Sequence, residues 1–178
     1  GRGQQVIAPV SEAERLILRP HAKTDLDDCA ALWRDPDVIR HIGGRAFTRE
    51  ESWARLLRYV GHWREMGFGF WAICEKPSGR FVGELGLADF MRDFQPGFGD
   101  TPEMGWVLSP LVHGKGYASE AIAAALAWAD ANLAGGRTVC MISPQNEPSL
   151  RAAAKAGFRE YARADYHGEV VLLERFRP

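Results

Sequence analysis

A glycine-containing turn, His113-Gly114-Lys115-Gly116, carries the clearest chemical signal in the sequence. The segment Met104–Leu108 before it is rich in strand formers and is followed by Pro110, which cannot donate to a β-ladder. From Ala118 onward, apolar residues recur at helical spacing. A turn that leads into a helix N-terminus presents unpaired N–H groups and a partial positive charge at one point. The spacing therefore predicts an anion site, for which phosphate is the usual ligand.

Two common phosphate-binding patterns do not fit this turn. A P-loop requires G-x-x-x-x-G-K followed by Ser or Thr, but Gly116 follows Lys115 here and the upstream glycine is missing. A dinucleotide-binding pattern requires a third Gly or Ala, but Ser119 stands at that position. Considered by itself, the turn is equally typical of a helix cap without a ligand.

The composition limits the class of protein. A chain of 178 residues suits one domain, and its net charge of −1 gives no electrostatic case for binding nucleic acid or an anionic membrane. We find neither an apolar run long enough to span a membrane nor a signal peptide. The three cysteines lack CxxC spacing, which argues against a disulfide framework and a zinc site. We expect reduced core cysteines, no metal and a cytoplasmic location.

Periodicity and turn signals predict seven strands and four helices in one domain, residues 15–178, after a flexible leader, residues 1–14. Thr48-Arg-Glu-Glu51 is a capping box that opens the second helix, and Pro148 suits the first turn of the last one. The predicted strands are 15–19, 68–75, 81–87, 103–109, 138–142, 158–164 and 170–176, and the predicted helices are 25–34, 48–67, 118–133 and 148–156.

The turn resembles the acyl-CoA loop of the Gcn5-related N-acetyltransferases (the GNAT family). The family pattern is Gln or Arg, two residues, Gly, one residue, then Gly or Ala; here His113-x-x-Gly116-x-Ala118 departs at the first position. The run Gly114–Ala121 is similar to the run W-G-K-G-Y-A-S/T-E-A of the RimJ/RimL-like branch, the ribosomal-protein N-terminal acetyltransferases, with His113 replacing the tryptophan.

Two further motifs extend the resemblance over almost the whole chain. The opening Arg15-Leu-x-Leu-Arg-Pro with Trp33-x-Asp-Pro36, and Asn146-x-x-Ser149 with Lys155-Ala-Gly-Phe158, are similar to segments of the same branch. The resemblance implies an α/β (α+β) GNAT fold, with a central mixed, mostly antiparallel sheet of about seven strands flanked by about four helices. It also implies acetyl-CoA as co-substrate, and it leaves a homodimer open because dimers are common in the family.

The resemblance further implies where acetyl-CoA would bind. The strands 103–109 and 138–142 would splay apart, and the pantetheine arm would pair with backbone groups near Val107 and Leu108. A backbone N–H there could bind the thioester carbonyl, a contact of a kind worth about 10²–10³ in rate. The positive charge of Lys115 would help to bind the pyrophosphate, unless that side chain is simply solvated. The pyrophosphate would contact backbone N–H groups of His113, Gly114, Lys115, Gly116, Tyr117, Ala118 and Ser119.

Two polar residues match family positions on the other side of this slot. Asn146 matches a residue that hydrogen-bonds the pantetheine, although capping the following helix is an alternative role, and an amide can do both. Ser149 matches a hydroxyl near the CoA sulfur that could donate to the leaving thiolate. Tyr161 and Tyr166 rank below Ser149 because neither stands at the family spacing after Asn146.

Glu103 and Glu84 are the best candidates for the base that accepts the amine proton. Alternation puts Glu103, Gly105 and Val107 on one strand face, and Glu84 lies in the adjacent strand. Base catalysis through water contributes about 10²–10⁴-fold. The alternative for each carboxylate is to orient the ammonium or to pair with an arginine. The histidines are weaker candidates.

The sequence does not identify the acceptor. An α-amine, with a pKa of about 7.7–8.0, is roughly one-tenth neutral at pH 7, whereas a lysine amine needs real help to lose its proton. The expected acceptor walls mix Arg40, Arg45 and Arg92 with Asp89 and Asp93, which is not a lining that a polyamine would favour. The leading hypothesis is acetyl transfer from acetyl-CoA to a primary amine, of a protein N-terminus or a small molecule. The alternatives are a small-amine or antibiotic acetyltransferase and a catalytically silent acyl-CoA-binding module.

Overall fold

A computed structural model describes residues 8–178 and contains a single eight-stranded sheet with five α-helices. The elements in chain order are β1 (Ser11–Glu12), β2 (Leu16–Arg19), α1 (Leu26–Leu32), α2 (Pro36–Ile39), α3 (Arg49–Met66), β3 (Phe70–Glu75), β4 (Phe81–Ala88), β5 (Glu103–Leu108), α4 (Tyr117–Asn132), β6 (Arg137–Ile142), α5 (Glu147–Lys155), β7 (Arg159–Asp165) and β8 (Glu169–Phe176). Short 3₁₀ turns occupy Lys23–Asp25 and Pro110–Val112.

The strand order is β1-β2-β3-β4-β5-β6-β8-β7, and every neighbouring pair is antiparallel except β5 and β6. The predicted mixed, mostly antiparallel sheet is thus confirmed. The structure adds β1 and α2, elements of two and four residues that are too short to show a period. Pairing of Ser11 and Glu12 with Leu18 and Ile17 orders part of the expected leader, of which residues 1–7 lie outside the described residues.

The helices cover the two faces of β4 differently. Leu85 and Leu87 pack in the main core with Ile122 of α4. Glu84 comes directly before Leu85 and therefore points to the opposite face, where Tyr59 of α3 contacts it. No helix within residues 8–178 has the length and apolar character that crossing a membrane requires.

Two helix termini matter for the site. The predicted capping box at the start of α3 is present: the Thr48 hydroxyl accepts from Glu51 N–H, and the Glu51 carboxylate accepts from Thr48 N–H. Helix α4 instead begins after Gly116, which adopts φ of 77° and has no side chain with which to cap it. The first turn of α4 therefore keeps its N–H groups free of a side-chain cap.

Candidate active site

The sheet opens between β5 and β6. The two strands pair at Glu103 and Val139, where Val139 N–H donates to Pro102 O at 3.1 Å, and no other β5–β6 pair occurs within residues 8–178. At the far end of β5, Ser109 N–H donates to Val82 O of the β4 side at 2.8 Å. Successive residues direct their backbone groups to opposite edges of a strand, so Leu108 and Trp106 present N–H and C=O groups to the gap.

This register refines the expected cofactor contacts. Val107 lies opposite Glu84, and its backbone faces β4 rather than the gap. Leu108 faces the gap as expected, and Trp106 joins it. Sequence reasoning missed Trp106 because the edge that a residue faces depends on the register of β4 against β5.

The turn before α4 has the geometry of an anion site. Gly114 and Gly116 both adopt left-handed φ, at 82° and 77°, conformations that suit glycine. The first helical bond runs from Glu120 N–H to Gly116 O at 3.2 Å. The N–H groups of Tyr117, Ala118 and Ser119 precede it and are directed out of the helix N-terminus.

Side chains around this turn hold it in place. The Arg15 guanidinium donates to the Glu120 carboxylate at 2.7 Å and to Lys115 O at 2.8 Å. The Tyr117 hydroxyl donates to Glu75 at 2.6 Å, and the Lys115 ammonium lies 3.7 Å from the same carboxylate. The expected contribution of Lys115 charge is therefore partly offset by Glu75, and the Tyr117 side chain points toward β3.

A groove of about 340 Å³ runs between α4 and α5, next to the turn. Ser119 and Ala123 of α4 and Ala152 of α5 line it with small side chains, and Lys155 adds a positive charge. Asn146 caps α5: its Oδ1 accepts from Ser149 N–H at 3.3 Å. The capping role of Asn146 is thus present, and its amide N–H₂ group remains available as a donor.

Glu103 is buried at the closed end of the gap and is clamped by an arginine. Arg92 Nε and Nη2 donate to its two oxygens at 2.7 and 2.8 Å. Burial is the largest single effect and opposes the charge of Arg92, but the hydrogen bonds and charge of Glu103, together with Tyr166, raise the pKa of Arg92 overall. Arg92 Nη1 also lies 3.3 Å from the Tyr166 hydroxyl, which brings the β7–β8 turn to this site.

Glu84 is fully buried and surrounded by donors. His21 Nε2 lies 2.9 Å from Oε2, the Tyr59 hydroxyl donates to Oε1 at 3.1 Å, and the Trp33 indole N–H donates to the same oxygen. The Arg55 guanidinium lies 3.9 Å away. Burial alone would raise the pKa of Glu84, but the His21 contact and the other partners lower it, so the carboxylate stays ionised. An acceptor amine would have to displace a partner to reach it.

The remaining candidates lie in other surroundings. His62 is held between Phe68 O, at 2.7 Å from Nδ1, and Asp89 N–H, at 3.0 Å from Nε2. Because the Asp89 amide must donate, Nε2 accepts, and both ring nitrogens of His62 are occupied. The Tyr161 ring lies under the Arg137 guanidinium at 5.1 Å, whereas Tyr166 belongs to the Glu103 cluster.

An open parallel pair beside an uncapped helix N-terminus, in a sheet of this order, defines an acyltransferase-like α/β protein. The family model described as the acetyltransferase (GNAT) domain matches residues 15–159. The chain therefore belongs to the GNAT acetyltransferase family and is an N-acetyltransferase.

Three similar proteins illustrate this membership. A solved structure from Bordetella pertussis, described as a GNAT-family acetyltransferase, is 35% identical, with a TM-score of 0.84 and 94% of this chain and 99% of that chain covered. The N-acetyltransferase YnaD of Bacillus subtilis is 28% identical over 82% of this chain and 80% of its own length. RimL, a ribosomal L7/L12 α-N-protein acetyltransferase solved with coenzyme A, is 15% identical, with a TM-score of 0.78 and coverage of 95% and 98%, and so shares the fold.

Proposed function

We propose that this protein moves an acetyl group from acetyl-CoA to a primary amine by direct transfer in a ternary complex, the amine belonging to a protein N-terminus or to a small molecule. The observation that carries the proposal is the gap between β5 and β6. Its free backbone edge at Trp106 and Leu108 continues into the uncapped N-terminus of α4. Acetyl-CoA carries a thioester at one end and phosphates at the other. Its thioester end would fit the gap, and its phosphates would fit the N-terminus of α4.

Acetyl-CoA supplies the activated acetyl group, and the protein positions it. The pyrophosphate would accept from N–H groups of Tyr117 to Ser119. The pantetheine would lie along β5 as an added strand, bonded to Leu108 and Trp106, and the Asn146 amide would donate to it from the opposite side. A preorganised backbone N–H on the thioester oxygen would contribute about 10²–10³ in rate.

The transfer itself requires two proton movements. The neutral amine attacks the carbonyl carbon and the C–S bond breaks. The Ser149 hydroxyl would donate a hydrogen bond to the leaving thiolate, which takes its proton from solvent, to which Glu103 returns the proton of the amine. The attacking nitrogen loses a proton, which Glu103 would accept through water. Arg92 pairs with Glu103 and holds the carboxylate in place, and an α-amine that is already partly neutral at pH 7 needs little further help to lose its proton. We assign Glu84, which lies opposite Val107 in the neighbouring strand, a role in positioning the site and not in proton transfer.

Membership of the RimJ/RimL-like branch also remains a proposal. The run Gly114–Ala121 supports it, whereas His113 departs from the branch pattern and lies exposed on the turn. A cytoplasmic location is consistent with three unpaired, buried cysteines. Homodimer formation likewise remains a proposal, and size-exclusion chromatography with light scattering would test it.

Free thiol release from acetyl-CoA tests the proposed function. The protein is mixed with acetyl-CoA and a panel of amines that contains peptide α-amines, amino acids, spermidine and an aminoglycoside. Acetyl-CoA binding with amine-dependent thiol release supports the proposal. Tight binding without turnover on any amine would favour an acyl-CoA-binding module, and failure to bind acetyl-CoA would refute both.

A further inference from the structure

Arginine side chains approach the face of the sheet that carries Glu103, and the glutamates on that face are buried. Three arginines approach it: Arg55 and Arg58 from α3 and Arg92 from the β4–β5 loop. The two carboxylates beside them, Glu84 and Glu103, have side chains only 1% and 7% exposed. Because Glu84 and Glu103 are buried while the arginines reach the surface, an incoming ligand meets guanidinium groups before it meets these two carboxylates.

Arg58 is the cation without an ion-pair partner. No carboxylate lies within ion-pairing distance of it in the part of the chain from Ala8 to Pro178, and its guanidinium lies 5.1 Å from the centre of the Phe90 ring. Partial burial, and then the neighbouring charge of Arg55, lower the pKa of Arg58. Like charges at i and i+3 on a helix repel each other, so an anion beside them would be stabilising.

Arg55 has hydrogen-bonding capacity to share in such a site. Its Nε donates to the Tyr59 hydroxyl at 2.7 Å, and its guanidinium stacks on Trp33 with 3.8 Å from Cζ to the ring centre. These contacts fix the orientation of the guanidinium plane. The two terminal nitrogens retain N–H groups, and a fixed planar fork of this kind suits carboxylate or phosphate oxygens.

A cavity of about 460 Å³ places Arg58 next to apolar surface. Tyr59, Phe70 and Phe90 line it together with Arg58. Phe90 also lies under Arg92, 4.7 Å from ring centre to Cζ, and Arg92 holds Glu103. The order from the transfer site outward is therefore a carboxylate, an aromatic wall and a free guanidinium.

The cavity contains two acidic residues, and neither neutralises Arg58. Asp89 Oδ1 accepts from Met91 N–H at 2.9 Å in a local turn. Glu65 lies seven residues beyond Arg58 on α3, which is two helical turns or roughly 10 Å along the axis.

We propose that Arg58, with Arg55 beside it, binds an oxyanion on the acceptor, so that the preferred acceptor is an amine that also carries a carboxylate or phosphate group. The amine lies toward Glu103, the body of the acceptor packs on Phe90, and the oxyanion meets Arg58. This inference rests on the proposed acetyl transfer and specifies its acceptor class. A polycation such as spermidine fits this face poorly.

The test compares acceptors that differ only in this group: alanyl-glutamate amide against alanyl-glutamine amide, and alanyl-phosphoserine amide against alanyl-serine amide, with spermidine as a polycation. We expect kcat/KM to be at least about tenfold higher for the anionic member of a pair, since a hydrogen-bonded charge is worth about that much. The Arg58→Gln variant should lose most of that ratio and keep its activity on the neutral member. Arg58→Lys should retain part of it.

Arg49→Gln is the matched control, because Arg49 lies nine residues before Arg58, on the opposite side of α3, and pairs with Asp27. It should leave the ratio unchanged. The acceptor pair with the larger ratio of kcat/KM values identifies whether the natural acceptor carries a carboxylate or a phosphate. Equal kcat/KM within both pairs, equal losses on charged and neutral acceptors in Arg58→Gln, or a preference for spermidine would overturn the proposal.

If acetyl-CoA binds but no amine is turned over, the proposed function fails and the oxyanion site is tested by itself. Calorimetric titration of alanyl-glutamate amide into the CoA-loaded protein then replaces the rate measurement. Binding that is lost in Arg58→Gln and kept in Arg49→Gln supports the site. Absence of binding, or equal binding in both variants, overturns it.

Discussion

Replacing Glu84 by glutamine should destabilise the fold more than any other single carboxylate-to-amide change near the site. The side chain is fully buried and accepts from Tyr59 and Trp33, with His21 at 2.9 Å and the Arg55 cation at 3.9 Å. The amide keeps the shape and one acceptor oxygen, but it removes the negative charge and points a donor at other donors. Breaking a buried charged network costs about 3–5 kcal/mol of unfolding free energy. Because the amide keeps the shape of the side chain, we expect Glu84→Gln to cost about 3 kcal/mol.

Urea unfolding at pH 7 followed by tryptophan fluorescence measures this loss directly. In a domain of this size each kcal/mol shifts Tm by about 2–4 °C, so Tm should fall by roughly 6–12 °C. Glu174→Gln is the control, because its pair with Arg137 is about one-third exposed and is worth about 0–1 kcal/mol.

The difference between wild type and Glu84→Gln should also depend on pH in one direction. The pKa of Glu84 is lowered in the folded protein, so its contribution is complete above the ordinary value of 4.5 and is lost as pH falls through the folded value. The difference in unfolding free energy between wild type and Glu84→Gln, measured at pH 7, should therefore become smaller below about pH 4.5. A loss of unfolding free energy below about 0.5 kcal/mol at pH 7, or a difference between the two proteins that grows in acid, would refute the role given to this network.

Three further predictions concern the cofactor and the transfer step. Ser119→Glu should weaken CoA binding about tenfold by calorimetry, because two phosphate charges at roughly 6 Å from a carboxylate in water cost about that much. Ala131→Glu, at an exposed position far along the same helix, should leave CoA binding unchanged. Glu103→Gln should lower kcat at least about tenfold, as should Ser149→Ala, with CoA affinity nearly intact; unchanged turnover in both would contradict their assigned roles. Arg15→Leu should raise the CoA Kd roughly threefold by loosening the turn, and full wild-type affinity would argue against that support.

Sequence periodicity predicted the sheet well because its strands are local patterns with buried apolar residues. The capping box at Thr48 is equally local, since both partners lie within four residues. The alternation of Glu103, Gly105 and Val107 likewise needs no tertiary information. What the sequence could not predict is which neighbour each of these positions faces.

The surroundings of Glu84 illustrate that limit. Its partners His21, Trp33 and Tyr59 lie 63, 51 and 25 residues away along the chain, in separate segments. Each residue alone is compatible with an ordinary core position. Only the packing of α1 and α3 on β4 brings them to one carboxylate, and this packing changes a candidate base into an ionised anchor.

The geometry of the gap distinguishes the two carboxylates more strongly than their residue type does. A pantetheine arm would enter beside the α4 N-terminus and follow β5 from Leu108. It could extend along about five residues of the strand, roughly 17 Å, before the gap between β5 and β6 closes at the Glu103–Val139 pair. In the proposed complex its reactive end would therefore stop near Glu103, whose partner Arg92 is one-quarter exposed and would exchange with an incoming ammonium. Glu84 lies four residues along β4 from Ala88, the residue opposite Glu103, at roughly 13 Å. The oxygens of Glu84 already accept from buried donors, which suits a residue that holds the site in shape. We therefore propose Glu103, and not Glu84, as the carboxylate that exchanges partners during a turnover.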